Sequence, residues 1–261
     1  MQEELDRLVG AAERSAGTIS LARGQGDSRL FPAERFRRVL QAVARRDGAE
    51  ALDYGDGAGY APLRATIAHI LAAQGVPAQA GDILITGGSQ QALSLIARLL
   101  LRAGDVVLVE NPTYSGAIDL FRSLDVRLLG IPVDEQGMRV ERAEEALRSA
   151  HPRLIYTIPN FQNPTGACLS GARRRQLVAL ADRYSVPILE DDLVGDLRYD
   201  GRDLPALKAL DPGGRVIYVG TFSKMLMPGL RIGFLAAAGP VYGQLLAHKR
   251  TDDLATTNLI Q

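Results

Sequence analysis

From about residue 80 onward, short apolar runs alternate with stretches whose apolar residues recur at helical spacing. Residues 82–86, 105–109, 126–129, 153–157, 186–189 and 216–219 each read as a strand, and 231–235 reads as a seventh. Between them, residues 91–101 and 173–184 carry a helical period. The strand runs are apolar nearly throughout rather than at alternate positions, as strands covered on both faces require. The pattern therefore predicts an α/β fold with a mostly parallel, seven-stranded sheet between helices. The first 80 residues differ: 5–16, 33–46 and 63–74 have helical spacing, and a glycine-rich loop over 53–60 precedes the third. We divide the chain into an N-terminal helical segment, residues 1–50, and a large domain, residues 51–261.

Composition changes this picture little but removes several functions. With 46% hydrophobic and 23% charged residues in 261, the chain can bury one large core. Thirty basic residues balance thirty acidic ones, so charge gives no argument for nucleic acid or an anionic membrane. The run Arg173, Arg174, Arg175 reads as a solvated helix face rather than a polyanion site. A single cysteine, Cys168, excludes an internal disulfide and a thiolate cluster. His69, His151 and His248 lack ligand spacing, so no metal is expected. The acidic N-terminus has no apolar stretch of a secretory signal, and no run approaches the roughly 18 apolar residues of a membrane span. A soluble, cytoplasmic protein is the expectation.

The candidate chemistry lies where predicted strands end, which is where ligands gather in open α/β sheets. Only three of the thirty basic residues are lysines, and one, Lys224, follows the sixth strand in Thr221-Phe222-Ser223-Lys224. A lysine, unlike arginine, can shed its proton and attack a carbonyl carbon. Gly87-Gly88-Ser89-Gln90 joins the first strand to its helix and offers free N–H groups to an anion, although many such turns are glycine-rich. Tyr114 ends the second strand region, as a platform for a planar ligand or as an ordinary core tyrosine. Asn163 sits in a turn after the fourth strand. Glu190-Asp191-Asp192 closes the fifth: one buried carboxylate could hold a protonated ring nitrogen, or the three could form a solvated acidic loop or a metal site.

A lysine, an isolated acid, a stacking ring and an anion cradle are together what pyridoxal phosphate chemistry needs. On these motifs, in this order, the chain resembles the fold-type I, class I/II aminotransferases over nearly its whole length, and within them the 2-aminoadipate and kynurenine aminotransferase branch. The resemblance implies pyridoxal 5'-phosphate held covalently by Lys224, with Asp191 on the pyridine nitrogen, Asn163 on the phenolic oxygen and Tyr114 stacked on the ring. Ser89, Gln90, Ser223 and Arg231 would bind the phosphate, with Thr221 nearby. Tyr54 would reach the phosphate of a neighbouring subunit in a homodimer, and Gly24 and Asn163 would border the substrate. The implied reaction moves an amino group between an L-amino acid and a 2-oxo acid such as 2-oxoglutarate, with Lys224 as anchor and general acid–base.

Two departures from that family stand out. Three residues after Asp191 the family carries a tyrosine that touches the phenolic oxygen, and here the position is Val194. The family's chains also continue into a small C-terminal domain that clamps the substrate carboxylate, so the expectation is a truncated chain. Two other functions are compatible with the same motifs. One is the effector domain of a MocR/GntR-type transcriptional regulator, although about 20 residues before the aminotransferase-like region are too few for a winged helix. The other is a different enzyme on this scaffold, such as a β-lyase.

Overall fold

The computed structural model describes Gly24 and residues 26–261, and the helix expected over residues 5–16 lies outside them. The strands are β1 (Ile83–Thr86), β2 (Val106–Asn111), β3 (Arg127–Asp134), β4 (Gly137–Met138), β5 (Leu154–Thr157), β6 (Ile188–Asp192), β7 (Val216–Thr221) and β8 (Gly233–Ala236). The helices are α1 (Ala33–Asp47), α2 (Ala61–Ala73), α3 (Ser89–Leu100), α4 (Ser115–Ser123), α5 (Val140–Ala150), α6 (Gly171–Tyr184) and α7 (Pro240–Asp252). They assemble into one sheet ordered β1-β8-β7-β6-β5-β2-β3-β4. The eighth strand, β4, is two residues long and pairs antiparallel with β3, too short to register as an apolar run.

β7, β6, β5, β2 and β3 are mutually parallel, while β8 runs antiparallel to both neighbours, β7 and β1. That reversal has a functional consequence. The carboxyl ends of β1 and β7 and the amino end of β8 meet at one edge, with Gly233 opposite both Thr86 and Thr221. The turn after β1, the turn after β7 and the residues before β8 are thereby brought together.

Side chains alternate between faces along each strand. Leu84, Val107, Val109, Tyr156, Leu189, Val219 and Leu235 form one layer with Leu93 and Ile96 of α3, Phe121 of α4 and Leu245 of α7. The other face carries Leu108, Ile155, Ile188 and Val216 beneath Leu147 of α5 and Leu177 of α6. It continues as Ile83, Ile85, Phe234 and Ala236 beneath Ile67 and Leu71 of α2. Each fully buried Leu or Ile contributes about 1.5–3 kcal/mol relative to exposure, so these two layers fix where the strand ends sit.

One expectation is corrected here. Ser170 caps α6 through a bond from the Arg173 amide, and the arginine run that follows is not a uniformly solvated face. Arg174 is completely buried and donates to the carbonyls of Pro159, Leu169 and Pro205 and to Asn160 Oδ1. A guanidinium has five donors in a fixed fork, and a cluster of orphan carbonyls can hold it inside. Arg173 pairs with Asp134. Among the described residues, no helix is long and apolar enough to cross a membrane and no three His, Cys, Asp or Glu side chains are grouped to hold a metal.

Candidate active site at the carboxyl edge of the sheet

Strand β6 places three acids in succession, and its pleat sends Asp191 to the opposite face from Glu190 and Asp192. Asp191 is fully buried. Its Oδ2 accepts the Tyr156 hydroxyl at 2.8 Å, from the neighbouring strand β5. Its Oδ1 is buried and has no hydrogen-bond partner among the described residues. Burial pushes this carboxyl up to about 7, against the Tyr156 bond, and the nearby charges of Asp192 and Glu110 push the same way. A buried carboxylate with one open oxygen is costly unless a donor, best a cationic one, arrives from outside the chain.

An anion cradle forms at the convergence of β1, β7 and β8. Helix α3 starts after Gly88, at φ +100°, with no side chain capping its first turn. Its opening N–H groups, those of Ser89 and Gln90, are left to an anion. Arg231 lies across this turn, donating to the Gly87 carbonyl at 3.2 Å and approaching Ser223 Oγ at 3.5 Å. Ser223 in turn meets Thr221, whose hydroxyl is 3.1 Å from both the Ser223 amide and its Oγ. The cradle depends on glycine twice. A Cβ at Gly88 would stand 2.4 Å from Arg231 Nη2, and one at Gly233 would stand 2.7 Å from the Ser89 amide. Ser89, Ser223, Thr221 and Arg231, proposed from sequence, are thus assembled around one opening.

Lys224 is half-buried three residues beyond β7, and its ammonium donates to the Gly24 carbonyl at 3.1 Å. Gly24 is exposed in the left-handed region, at φ +53°, and this contact sets it against the lysine. Tyr114 precedes α4 and is half-buried, its hydroxyl 3.5 Å from Gln90 Oε1, while Gln90 also donates to the Gly116 carbonyl. Burial, and then the charge of Asp191, hold the Tyr114 hydroxyl above the usual phenol range. Asn163 is exposed at the loop tip, with its side-chain amide unbonded among the described residues. Tyr54 does not join the cluster within one chain: it is 84% exposed and borders a cavity of about 450 Å³ with residues 255–259.

Three residues of this edge escaped the sequence reading. Tyr156 looked like any strand residue, and only pairing of β5 with β6 shows it holding Asp191. Glu110, the last buried residue of β2, accepts from Thr157 Oγ1, the Ile158 amide and Gln162 Nε2. An acid closing an apolar run marked residues 190–192 and marks Glu110 equally, so a signal was present. Gln162 carried none.

An open buried carboxylate oxygen, an amine and an uncapped helix start under a guanidinium suit a ligand with three matching groups: a protonated nitrogen, an electrophilic carbon and an anion. The family described as aminotransferase class I and II matches residues 20–251. Aromatic-amino-acid aminotransferase 1 of Thermococcus litoralis is 39% identical over 99% of this chain and 63% of its own length. A helix-turn-helix transcriptional regulator of Bacillus subtilis is 36% identical over 98% of this chain and 52% of its own. Kynurenine aminotransferase of Pyrococcus horikoshii, solved with PMP and kynurenine, superposes with a TM-score of 0.93 at 40% identity, over 98% of this chain and 65% of that one. This chain therefore spans between about half and two thirds of the length of such relatives.

Proposed function

Because this chain belongs to the class I and II aminotransferase family, we propose that it binds pyridoxal 5'-phosphate and moves an amino group between an L-amino acid and a 2-oxo acid. The observation that carries this reading is Asp191 Oδ1, buried and without a partner among the described residues, at the same sheet edge as Lys224 and the Arg231 cradle. When bound, pyridoxal phosphate supplies an aldehyde that condenses with amines and a ring that takes up the electrons of a bond broken at the substrate α-carbon.

The remaining work falls to the chain. Asp191 would accept the ring N–H on Oδ1, where the low dielectric of its surroundings would strengthen that charge-assisted bond. Tyr156 holds the other oxygen and so fixes the carboxylate plane. Ser89, Gln90, Thr221, Ser223 and Arg231 would hold the phosphate, and Tyr114 would cover one ring face. Asn163 would donate to the ring oxygen and, with Gly24, border the amino acid. Lys224 would anchor the cofactor and serve as the base and acid that moves the proton of the substrate α-carbon. Tyr54, exposed here, would reach the phosphate of a second copy in a homodimer.

One observation favours a second reading, as the effector domain of a regulator: the similarity to the Bacillus subtilis regulator is nearly as high as that to the enzymes. The two part on turnover. Wild-type protein titrated with pyridoxal phosphate should develop a visible absorbance band, and Lys224→Ala should abolish it; an identical band in both would overturn the lysine assignment. Sustained exchange of amino groups between glutamate and a 2-oxo acid selects the enzyme, whereas binding with a single turnover or none selects the effector domain.

A further inference from the structure

Strand β2 is apolar from Val106 to Val109 and then buries a carboxyl group, Glu110, only 2% exposed. This group lies outside the lysine, acid and phosphate machinery, yet it is fully engaged. Oε1 accepts the Thr157 hydroxyl at 2.6 Å, while Oε2 accepts the Ile158 amide at 3.2 Å and Gln162 Nε2 at 3.1 Å. Gln162 passes the restraint on. Its second N–H donates to the Pro112 carbonyl at 2.9 Å. Its Oε1 accepts both the amide of Thr165, at 2.9 Å, and the Thr165 hydroxyl, at 2.7 Å. All four hydrogen-bonding positions of that buried amide are occupied.

Its backbone closes the loop as well, through Gly166 N to Gln162 O at 2.6 Å and Gln162 N to Ala167 O at 2.8 Å. What lies between the clamped points is Asn163, exposed and unbonded among the described residues. Glu190 offers a contrast of equal burial. Its carboxylate, on the same face of the sheet but two strands away, is bonded to the amides of Leu207 and Lys208 rather than to that loop.

We infer that Glu110 is a positioning residue: through Gln162 it ties the 163–166 loop to the ends of β2 and β5 and so sets where Asn163 meets the ring oxygen of the cofactor. The inference rests on the cofactor reading above. Loss of the clamp leaves Asn163 in place chemically but free to wander, and a bond whose donor must first be ordered contributes less.

The test measures amide hydrogen exchange at residues 165 and 166 in the cofactor-free protein, then pyridoxal phosphate affinity by absorbance in the same variants. Glu110→Ala should raise exchange at these amides about tenfold and weaken cofactor binding by about tenfold. Glu110→Gln should restore both, since its amide oxygen can accept from Ile158 and Gln162 while its NH₂ donates to Thr157 Oγ1. Glu190→Ala, comparably destabilising, should change neither. Should Glu110→Ala fail to fold, Thr165→Val decides, because Thr165 is exposed: exchange and dissociation constant should each rise about threefold. Unchanged loop exchange overturns the inference, as does faster exchange with cofactor affinity no weaker than in Glu190→Ala. A wild-type protein that binds no pyridoxal phosphate would instead overturn the site reading, with the exchange arm still reporting on the clamp.

Discussion

The two faces of β6 treat carboxyl groups one residue apart in opposite ways. Toward α6, Glu190 is saturated by the amides of Leu207 and Lys208. Asp192, on the same face, is held by Tyr218, Asn160 and the Gly195 amide. Toward α3 and α4, Asp191 has one oxygen bound to Tyr156 and the other bound to nothing among the described residues. Both faces are buried, so exposure does not separate structure from function here. Completeness of hydrogen bonding does. On β6, the carboxyls that the chain satisfies belong to the scaffold, and the one left open in a dry place lies at the candidate site.

The sharpest way to break this comparison is to remove each acid in turn. Asp191→Ala should lower transamination by two to three orders of magnitude, about the worth of a buried electrostatic partner, and the cost of stranding the Tyr156 hydroxyl should be largely offset by removing a buried carboxyl. Asp192→Ala should do the reverse. It strands the Tyr218 hydroxyl, the Asn160 amide and the Gly195 N–H, costing about 1–3 kcal/mol of stability while sparing the cofactor. Urea unfolding and steady-state rates on both variants check this, and inverted ranks would mean that Asp192 faces the ring.

pH sharpens the same contrast. Burial pushes Glu110, Glu190 and Asp191 each up to about 7, from ordinary values near 4.5 for the glutamates and 3.8 for the aspartate. Between those limits the unfolded chain has released protons that the folded chain retains. The cofactor-free protein should therefore lose stability as pH rises from about 4.5 to 7, by up to about 1.4 kcal/mol per pH unit for each group, and level off above. Glu190→Gln should make that decline shallower whether or not cofactor is present. Saturating pyridoxal phosphate should remove only the Asp191 share, since a cation at Oδ1 favours the ionised form. Urea midpoints at pH 5 and pH 7 measure both.

Much of the fold was legible because parallel strands buried on two faces write themselves as unbroken apolar runs, and all seven long strands lie at or within a few residues of their runs. Strand order was not legible. Nothing in residues 231–235 announces that β8 reverses direction, yet this reversal carries Arg231 to the edge where Gly88 and Ser223 stand. Lysine scarcity proved an incomplete guide: Lys208 and Lys249 are more deeply buried than Lys224, and they bond to the Val216 carbonyl and to Asp253 as structural groups. Position at a strand end, rather than rarity, distinguishes Lys224. The buried Arg174 and the Glu110–Gln162 clamp were invisible for a common reason. A polar side chain's partners come from loops distant in sequence, and one-dimensional spacing does not record them.

The smallest expected effect concerns Val194, where the resemblance calls for a tyrosine. Val194 is half-buried at the start of the turn Gly195–Leu197, three residues from Asp191, and its side chain donates no hydrogen bond. Val194→Tyr offers a phenol that can donate to the ring oxygen beside Asn163. A bond to an anionic oxygen stabilises the deprotonated form, so the pH at which the bound cofactor's absorbance titrates should fall by about one unit. The shift should change size in an Asn163→Ala background, because two donors to one oxygen are coupled rather than additive. An unmoved midpoint would show that position 194 turns toward the Asp192 face, and the comparison between the two faces of β6 would then extend one residue beyond the strand.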